Sequence, residues 1–167
     1  MNATPPIIRQ ATESDYEQLC DLFEELDALH RAARPDLFRK QHGAPRERSY
    51  VASLIAGPDS AVLVAGDPGS RSLYGFATLI VRVTPESGVR AGRRIVEIDN
   101  LAVRREWRRT GLGRLLISEA DRWAARSNLG TVELAVHEFN ADAIRFYEAV
   151  GFATSQRRMS RDLAAQD

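Results

Sequence analysis

Apolar positions recur at helical spacing in some stretches and in unbroken or alternating runs in others, and the two patterns interleave along the chain. Tyr16, Leu19, Cys20, Phe23, Leu26 and His30 share one face of a long amphipathic helix. Thr12 with Asp15 three residues on supplies its capping signal and acidic first turn, and Pro35 ends it. Residues 46–56 read as a shorter helix closed by Gly57-Pro58. Leu112, Leu115, Leu116, Ala120, Trp123 and Ala124 mark the buried face of a third helix, and residues 140–149 form a fourth. Strand patterns cover residues 7–10, 60–66, 72–83, 94–103, 131–136 and 152–163. Asp67-Pro68-Gly69-Ser70 is a hairpin turn, and residues 85–92 make a second turn-rich connection. The predicted order is β-α-α-β-β-β-α-β-α-β, an α/β chain. With no repeat, low-complexity tract or linker in sight, residues 1–167 read as a single domain.

Composition narrows the partners. At 167 residues, with 44% apolar and 28% charged side chains, the chain suits one globular domain with a proper core. Acidic and basic residues cancel at 23 each, so no global field recruits nucleic acid or an anionic membrane. There is no stretch apolar enough to span a bilayer and no signal-peptide pattern at the N-terminus. A lone cysteine forms no intrachain disulfide. These features predict a cytoplasmic protein, and the use of Arg over Lys suggests a bacterial one.

The richest chemistry lies in residues 101–116. A short apolar strand end runs through a polar turn and two glycines into an amphipathic helix. A helix N-terminus carries unpaired N–H groups and partial positive charge, which favour an anion. Gly111 and Gly113 remove Cβ atoms that would hold a phosphate away, and they permit positive φ where the turn needs it. Arg108, Arg109 and Arg114 add mobile cations. The design suits a pyrophosphate. No lysine follows Gly113, which excludes a P-loop, and Leu116 stands where a dinucleotide fingerprint needs its third glycine.

Arg108-x-x-Gly111-x-Gly113 resembles the Q/R-x-x-G-x-G/A signature of the GNAT superfamily of acyl-CoA N-acyltransferases. Residues 140–152, an Asn-opened helix carrying Tyr147 and closed by Gly151-Phe152, resemble that family's other hallmark. The resemblance covers nearly the whole chain. It implies a mixed α/β (α+β) fold whose central, mostly antiparallel sheet splays at the cofactor site. It also implies acetyl-CoA as co-substrate, direct transfer to a primary amine of a small molecule or protein, and a homodimer as a common assembly; no His/Cys cluster has metal-ligand spacing, so no metal is expected.

Residue by residue, the resemblance implies that Arg108, Arg109, Thr110, Gly111, Leu112, Gly113 and Arg114 cradle the pyrophosphate. Leu101, Ala102 and Val103 would extend the sheet to the pantetheine amides through their backbones. Asn140 would cap its helix and reach the same arm. Tyr147 would serve as general acid at the coenzyme sulfur; by spacing alone it is a core tyrosine. Glu97, eleven residues before Arg108, would accept the amine proton. Strand alternation puts Asp99 on the same side, where it could bind a cationic substrate. Otherwise Glu97 is a solvated strand-end charge. His30, Asp36, Phe38 and His42 lie where the family builds its acceptor pocket. They and His137 and Glu138 read first as ordinary loop residues. Cys20 reads as inert packing. An acyl-CoA-binding sensor without turnover is the alternative function, and a purely structural domain a third.

Overall fold

The structure, a computed structural model, describes residues 5–68, 72–161 and 163. The chain divides into two compact units, Met1–Ala135 and Val136–Asp167. In the first, β1 (Ile7–Gln10), β2 (Ser60–Gly66), β3 (Leu73–Thr84), β4 (Arg93–Val103) and β5 (Val132–Leu134) form a sheet in chain order. β1 to β4 pair antiparallel; β5 pairs parallel to β4 because α3 (Leu112–Arg126) carries the chain back between them. α1 (Tyr16–Ala33) and α2 (Arg48–Ala56) separate β1 from β2.

β2 explains the layering. Its Ala61-Val-Leu-Val-Ala65 run is almost wholly buried, as a strand covered on both faces requires. Val62 and Val64 join Leu19, Leu22 and Phe23 of α1 and Val51 and Leu54 of α2 in one core. Their alternates point the other way, toward the apolar stripe of α3. That stripe is Leu112, Leu116, Ile117, Ala120, Trp123 and Ala124. Leu115, expected inside, is 47% exposed. Ile117, one position after Leu116, takes its place, because the helix turns 100° per residue and the stripe drifts.

Two further expectations change. The turn at 67–70 lies partly outside the described residues. The strand expected over 152–163 is absent among the described residues of that segment. Neither alternating set, Phe152-Thr154-Gln156-Arg158 or Ala153-Ser155-Arg157-Met159, makes an apolar face, so pairing would bury nothing in return for ordering the chain.

In the second unit, α4 (Ala141–Ala149) is capped at both ends. The Ala143 N–H donates to Asn140 Oδ1 at 3.2 Å. At the other end Gly151 sits at φ 102°, the Gly151 N–H donates to the Glu148 carbonyl (3.1 Å) and the Phe152 N–H to the Tyr147 carbonyl (3.0 Å). That is the Schellman closure, which accounts for the Gly-Phe pair in physical terms.

The junction of β1 and α1 is held by charge. Arg9 donates to both oxygens of Asp15 (2.7 and 2.8 Å), and the Thr12 N–H adds a third bond at 2.8 Å. Asp15 is only 3% exposed. The Arg9 hydrogen bond, outweighing the cost of burial, lowers the Asp15 pKa below its usual 3.8. A carboxyl whose folded pKa is depressed stabilises the fold above its unfolded pKa and loses that contribution as pH falls through the folded value. Asp15→Asn is therefore expected to cost about 1–3 kcal/mol at pH 7. In urea titrations the difference from the parent should shrink as pH falls through the depressed folded-state pKa of Asp15. A constant difference across pH would refute the charge assignment.

Candidate active site

β4 ends at Val103, and the next eight residues are tacked down before α3 begins. The Arg104 N–H donates to the Tyr74 carbonyl and its Nε to the Leu73 carbonyl, both at 2.8 Å. A single 3-10 turn, Arg105–Trp107, follows, and the Trp107 ring stacks on Tyr74 with centroids 3.9 Å apart. Gly75 lets β3 and β4 approach here, since a Cβ on it would lie 2.7 Å from the Ala102 carbonyl. Glu25 of α1 accepts from the Arg105 N–H (3.2 Å) and from Arg108 Nη2 (3.0 Å), while Arg108 Nε donates to the Val103 carbonyl at 3.0 Å. Arg108, expected as a mobile cation, is thus the pin that fixes the loop to α1. Arg109 and Arg114 are exposed and have no carboxylate partner among the described residues.

Past this pin the backbone turns sharply. Arg109 (φ 63°) and Gly111 (φ 90°) are left-handed, and the Thr110 hydroxyl donates to the Trp107 carbonyl at 2.7 Å. The first bond of α3 runs from the Leu115 N–H to the Gly111 carbonyl, 3.1 Å. The N–H groups of Leu112, Gly113 and Arg114 therefore have no partner among the described residues. A Cβ built on Gly111 meets nothing within 4 Å. Three unpaired donors, the positive end of a 15-residue helix and open space where a side chain would stand fit a pyrophosphate. Only Gly111 uses the positive φ expected of both glycines. Gly113 has helical backbone in the first turn of α3.

The neighbouring edge of β4 is open as well. β5 pairs only with Val96, Glu97 and Ile98, so the far side of residues 99–103 has no strand beside it among the described residues of this unit. Because the Arg104 N–H points to β3, alternation turns Ala102 toward β3 and Leu101 and Val103 outward. The outward Val103 carbonyl already takes Arg108. The Leu101 amide and carbonyl and the Val103 N–H remain for an extended ligand.

A register shift decides what the sheet face carries. Asn100 pairs with Thr78 but Ile98 with Leu79, which leaves Asp99 as the extra residue of a β-bulge. Thr78 and Ile80 share a face, so their partners Asn100 and Glu97 share it too, although they are three residues apart. Ile80 packs on the α1–α2 core, so this is the face covered by those helices. Arg82, two residues along β3, donates to Glu97 Oε1 from Nε (3.0 Å) and Nη2 (2.8 Å), with Asp99 Oδ1 3.7 Å away. Asn100 Nδ2 donates to Asp99 Oδ2 (2.7 Å) and to the hydroxyl of the fully buried Thr78 (3.0 Å). Glu133 of β5 lies in register beside Glu97 and takes Arg93 at 2.5 Å. Arg82, Thr78, Asn100, Glu133 and Glu25 escape a reading by motif, because only strand register and the fold of α1 bring them here.

In the second unit, the Tyr147 ring lies between Phe146 and Phe152, at centroid distances of 5.3 and 5.8 Å. Burial pushes its phenol up to about 12, so it stays protonated through the neutral range. Glu138 pairs with Arg157 (3.1 Å), and His137 stacks on Phe139. In the first unit, His30 lies against Phe38 with a ring nitrogen 2.9 Å from the Leu26 carbonyl, Asp36 pairs with Arg34, and Cys20 is buried.

The acetyltransferase (GNAT) family model matches residues 19–152. The chain belongs to the GNAT acetyltransferase family. A mycothiol acetyltransferase from Corynebacterium kroppenstedtii is 28% identical over 109 residues, 60% of this chain and 30% of that protein. The chain spans only 24–30% of the length of the curated relatives it matches. A tetramutant of the BH1408 protein of Bacillus halodurans superimposes with a TM-score of 0.87 at 28% identity, covering 94% of this chain and 99% of that one. An aminoglycoside N-acetyltransferase solved with CoA shares the fold at TM-score 0.68 and 18% identity, covering 96% and 95%. GNAT acetyltransferases use acetyl-CoA, and the cradle and open edge described above suit its pyrophosphate and amide-bearing arm. Among the described residues no helix is long and apolar enough to cross a membrane.

Gly111→Val makes the direct test of the cradle. Its φ of 90° disfavours any β-branched residue, so the substitution would force the turn off the path that leaves the first N–H groups of α3 unpaired. Calorimetry with acetyl-CoA should show at least a tenfold loss of affinity in a protein that still melts cooperatively. Unchanged affinity would remove the pyrophosphate from this loop.

Proposed function

We propose that this protein transfers the acetyl group of acetyl-CoA directly to a primary amine, with Glu97 accepting the amine proton and Tyr147 donating to the departing sulfur. The observation that carries the reading is the set of unpaired N–H groups at the start of α3, next to the open edge of β4, in a chain of this family. Acetyl-CoA, when bound, supplies the activated acyl group; the protein's part is to position it and to manage protons.

Residues 109–114 hold the pyrophosphate through backbone N–H groups, with Arg109 and Arg114 adding charge and Arg108 keeping the loop in shape. Leu101 and Val103 guide the pantetheine arm as a strand would, and Asn140 caps α4, the helix that carries Tyr147. An ammonium has no lone pair, so the amine must lose its proton before attack. Glu97 stands on the face covered by α1 and α2 and receives that proton directly or through water. Every hydrogen bond made to Glu97 by the described residues ends on Oε1, which leaves Oε2 for this task. Both units together make one transferase domain in this reading.

The assay is release of free thiol from acetyl-CoA in the presence of a panel of amines. Turnover supports the enzyme; thermal stabilisation by coenzyme without turnover would turn the reading toward a sensor. Tyr147→Phe should lower kcat about a hundredfold with coenzyme affinity nearly unchanged, because only the hydroxyl is lost. Near-normal kcat would make Tyr147 a packing residue.

Glu97→Gln should lower kcat near neutrality and recover in part at high pH, where more of the amine arrives neutral. Separate kcat and KM profiles decide its role, since a carboxylate that only attracts the ammonium would raise KM and spare kcat.

A further inference from the structure

We propose that Arg82 is a specificity-determining residue that admits zwitterionic acceptors, amines with a carboxylate a few bonds away, the acceptor's carboxylate binding Arg82 while its amine faces Glu97. The inference rests on the transferase reading and names its substrate class.

Arg82 meets Glu97 in an uneven way. Nε and Nη2 both converge on the single oxygen Oε1, at 3.0 and 2.8 Å. The Nη1 edge of the guanidinium donates to nothing among the described residues, and the side chain is 48% exposed. Glu97 Oε2 is equally unengaged. A planar guanidinium edge with spare parallel donors matches a carboxylate in fork geometry, which an ammonium or a water matches poorly. The site therefore offers an anion-binding edge and a cation-binding oxygen side by side, separated by one ion pair. A zwitterion has that charge pattern in reverse.

The surroundings fix the arrangement. Asp99 is held by Asn100 at 2.7 Å and flanks the same guanidinium at 3.7 Å, and Glu133 is neutralised by Arg93. Hydrogen bonding to Glu97 stabilises the charged form of Arg82, with Asp99 and the Tyr50 phenol of α2 adding to it. A free amine or diamine would engage Glu97 Oε2 and leave the Nη1 edge of the guanidinium without an anion. An amino acid would satisfy both.

The test compares acceptors that differ only in the carboxylate: lysine with cadaverine, ornithine with putrescine, phenylalanine with phenethylamine. The wild-type protein should favour the amino acid of at least one pair by tenfold or more in kcat/KM. Arg82→Gln should bring that ratio to near one by raising KM for the amino acid, and Arg82→Lys should restore part of it. Calorimetry of the same pairs against CoA-loaded protein should show the same order of affinities. Equal kcat/KM within every pair, a preference that survives Arg82→Gln, or turnover confined to protein lysines would overturn the proposal while leaving the transferase intact. Absence of turnover with every amine, with acetyl-CoA bound, overturns the transferase reading and this proposal with it.

Discussion

A β-strand has two hydrogen-bonding edges, and β4 has two neighbours for only part of its length. Its first residues are flanked by β3 and then β5, but β5 ends at Leu134 after three pairs. From Asp99 onward β4 keeps β3 on one side and, among the described residues of this unit, an unpaired edge on the other. Exposed strand edges are a liability that proteins cover or use. Here the chain leaves the open strand through a pinned loop into a helix whose own first N–H groups are unpaired. Two sources of unsatisfied backbone donors are thus brought together, and a ligand with amides at one end and phosphates at the other would satisfy both.

The loop keeps its shape because it is tied to elements already fixed by the core. Glu25 extends from α1, whose apolar face includes Phe23 packed edge-on against Phe76 at 4.6 Å. Arg108 and the Arg105 N–H converge on that carboxylate, and Trp107 stacks on Tyr74 of β3. Most of these contacts are at the surface, where one ion pair contributes about 0–1 kcal/mol. Their value is geometric. Several weak ties acting on a short loop confine the left-handed residues Arg109 and Gly111 to one path, which a single strong contact could not do.

The elements most legible in the sequence are those whose side chains alone decide their burial. The amphipathic stripe of α1, the doubly apolar β2 and the glycine before α3 need no knowledge of partners. What escapes is decided by pairing. Glu97 meets Arg82 fifteen residues away only because the register is Glu97↔Ile80, and the bulge at Asp99 breaks the parity by which faces are counted. The final strand fails for another reason: residues 152–161 have no alternating apolar face to make pairing worthwhile. Arg108 matches a family signature, yet its guanidinium goes to Glu25 and Val103, since a motif records which residue is present and says little about what it touches.

The two candidate catalytic groups also face unequal demands. A phenol held at about 12 donates a hydrogen bond readily but gives up its proton reluctantly. Full transfer to a thiolate, whose conjugate acid is much the stronger acid, would be uphill. In the proposed reaction Tyr147 would therefore suit the stabilisation of developing charge on sulfur better than outright protonation, which a thiolate tolerates because it is already a fair leaving group. The amine side has no such latitude. An ammonium cannot attack until a base takes its proton, and the carboxylate nearest to hand is already paired with an arginine. In the proposed mechanism the group that meets Arg82 would set which amines reach Glu97, so selectivity and proton transfer would share one ion pair.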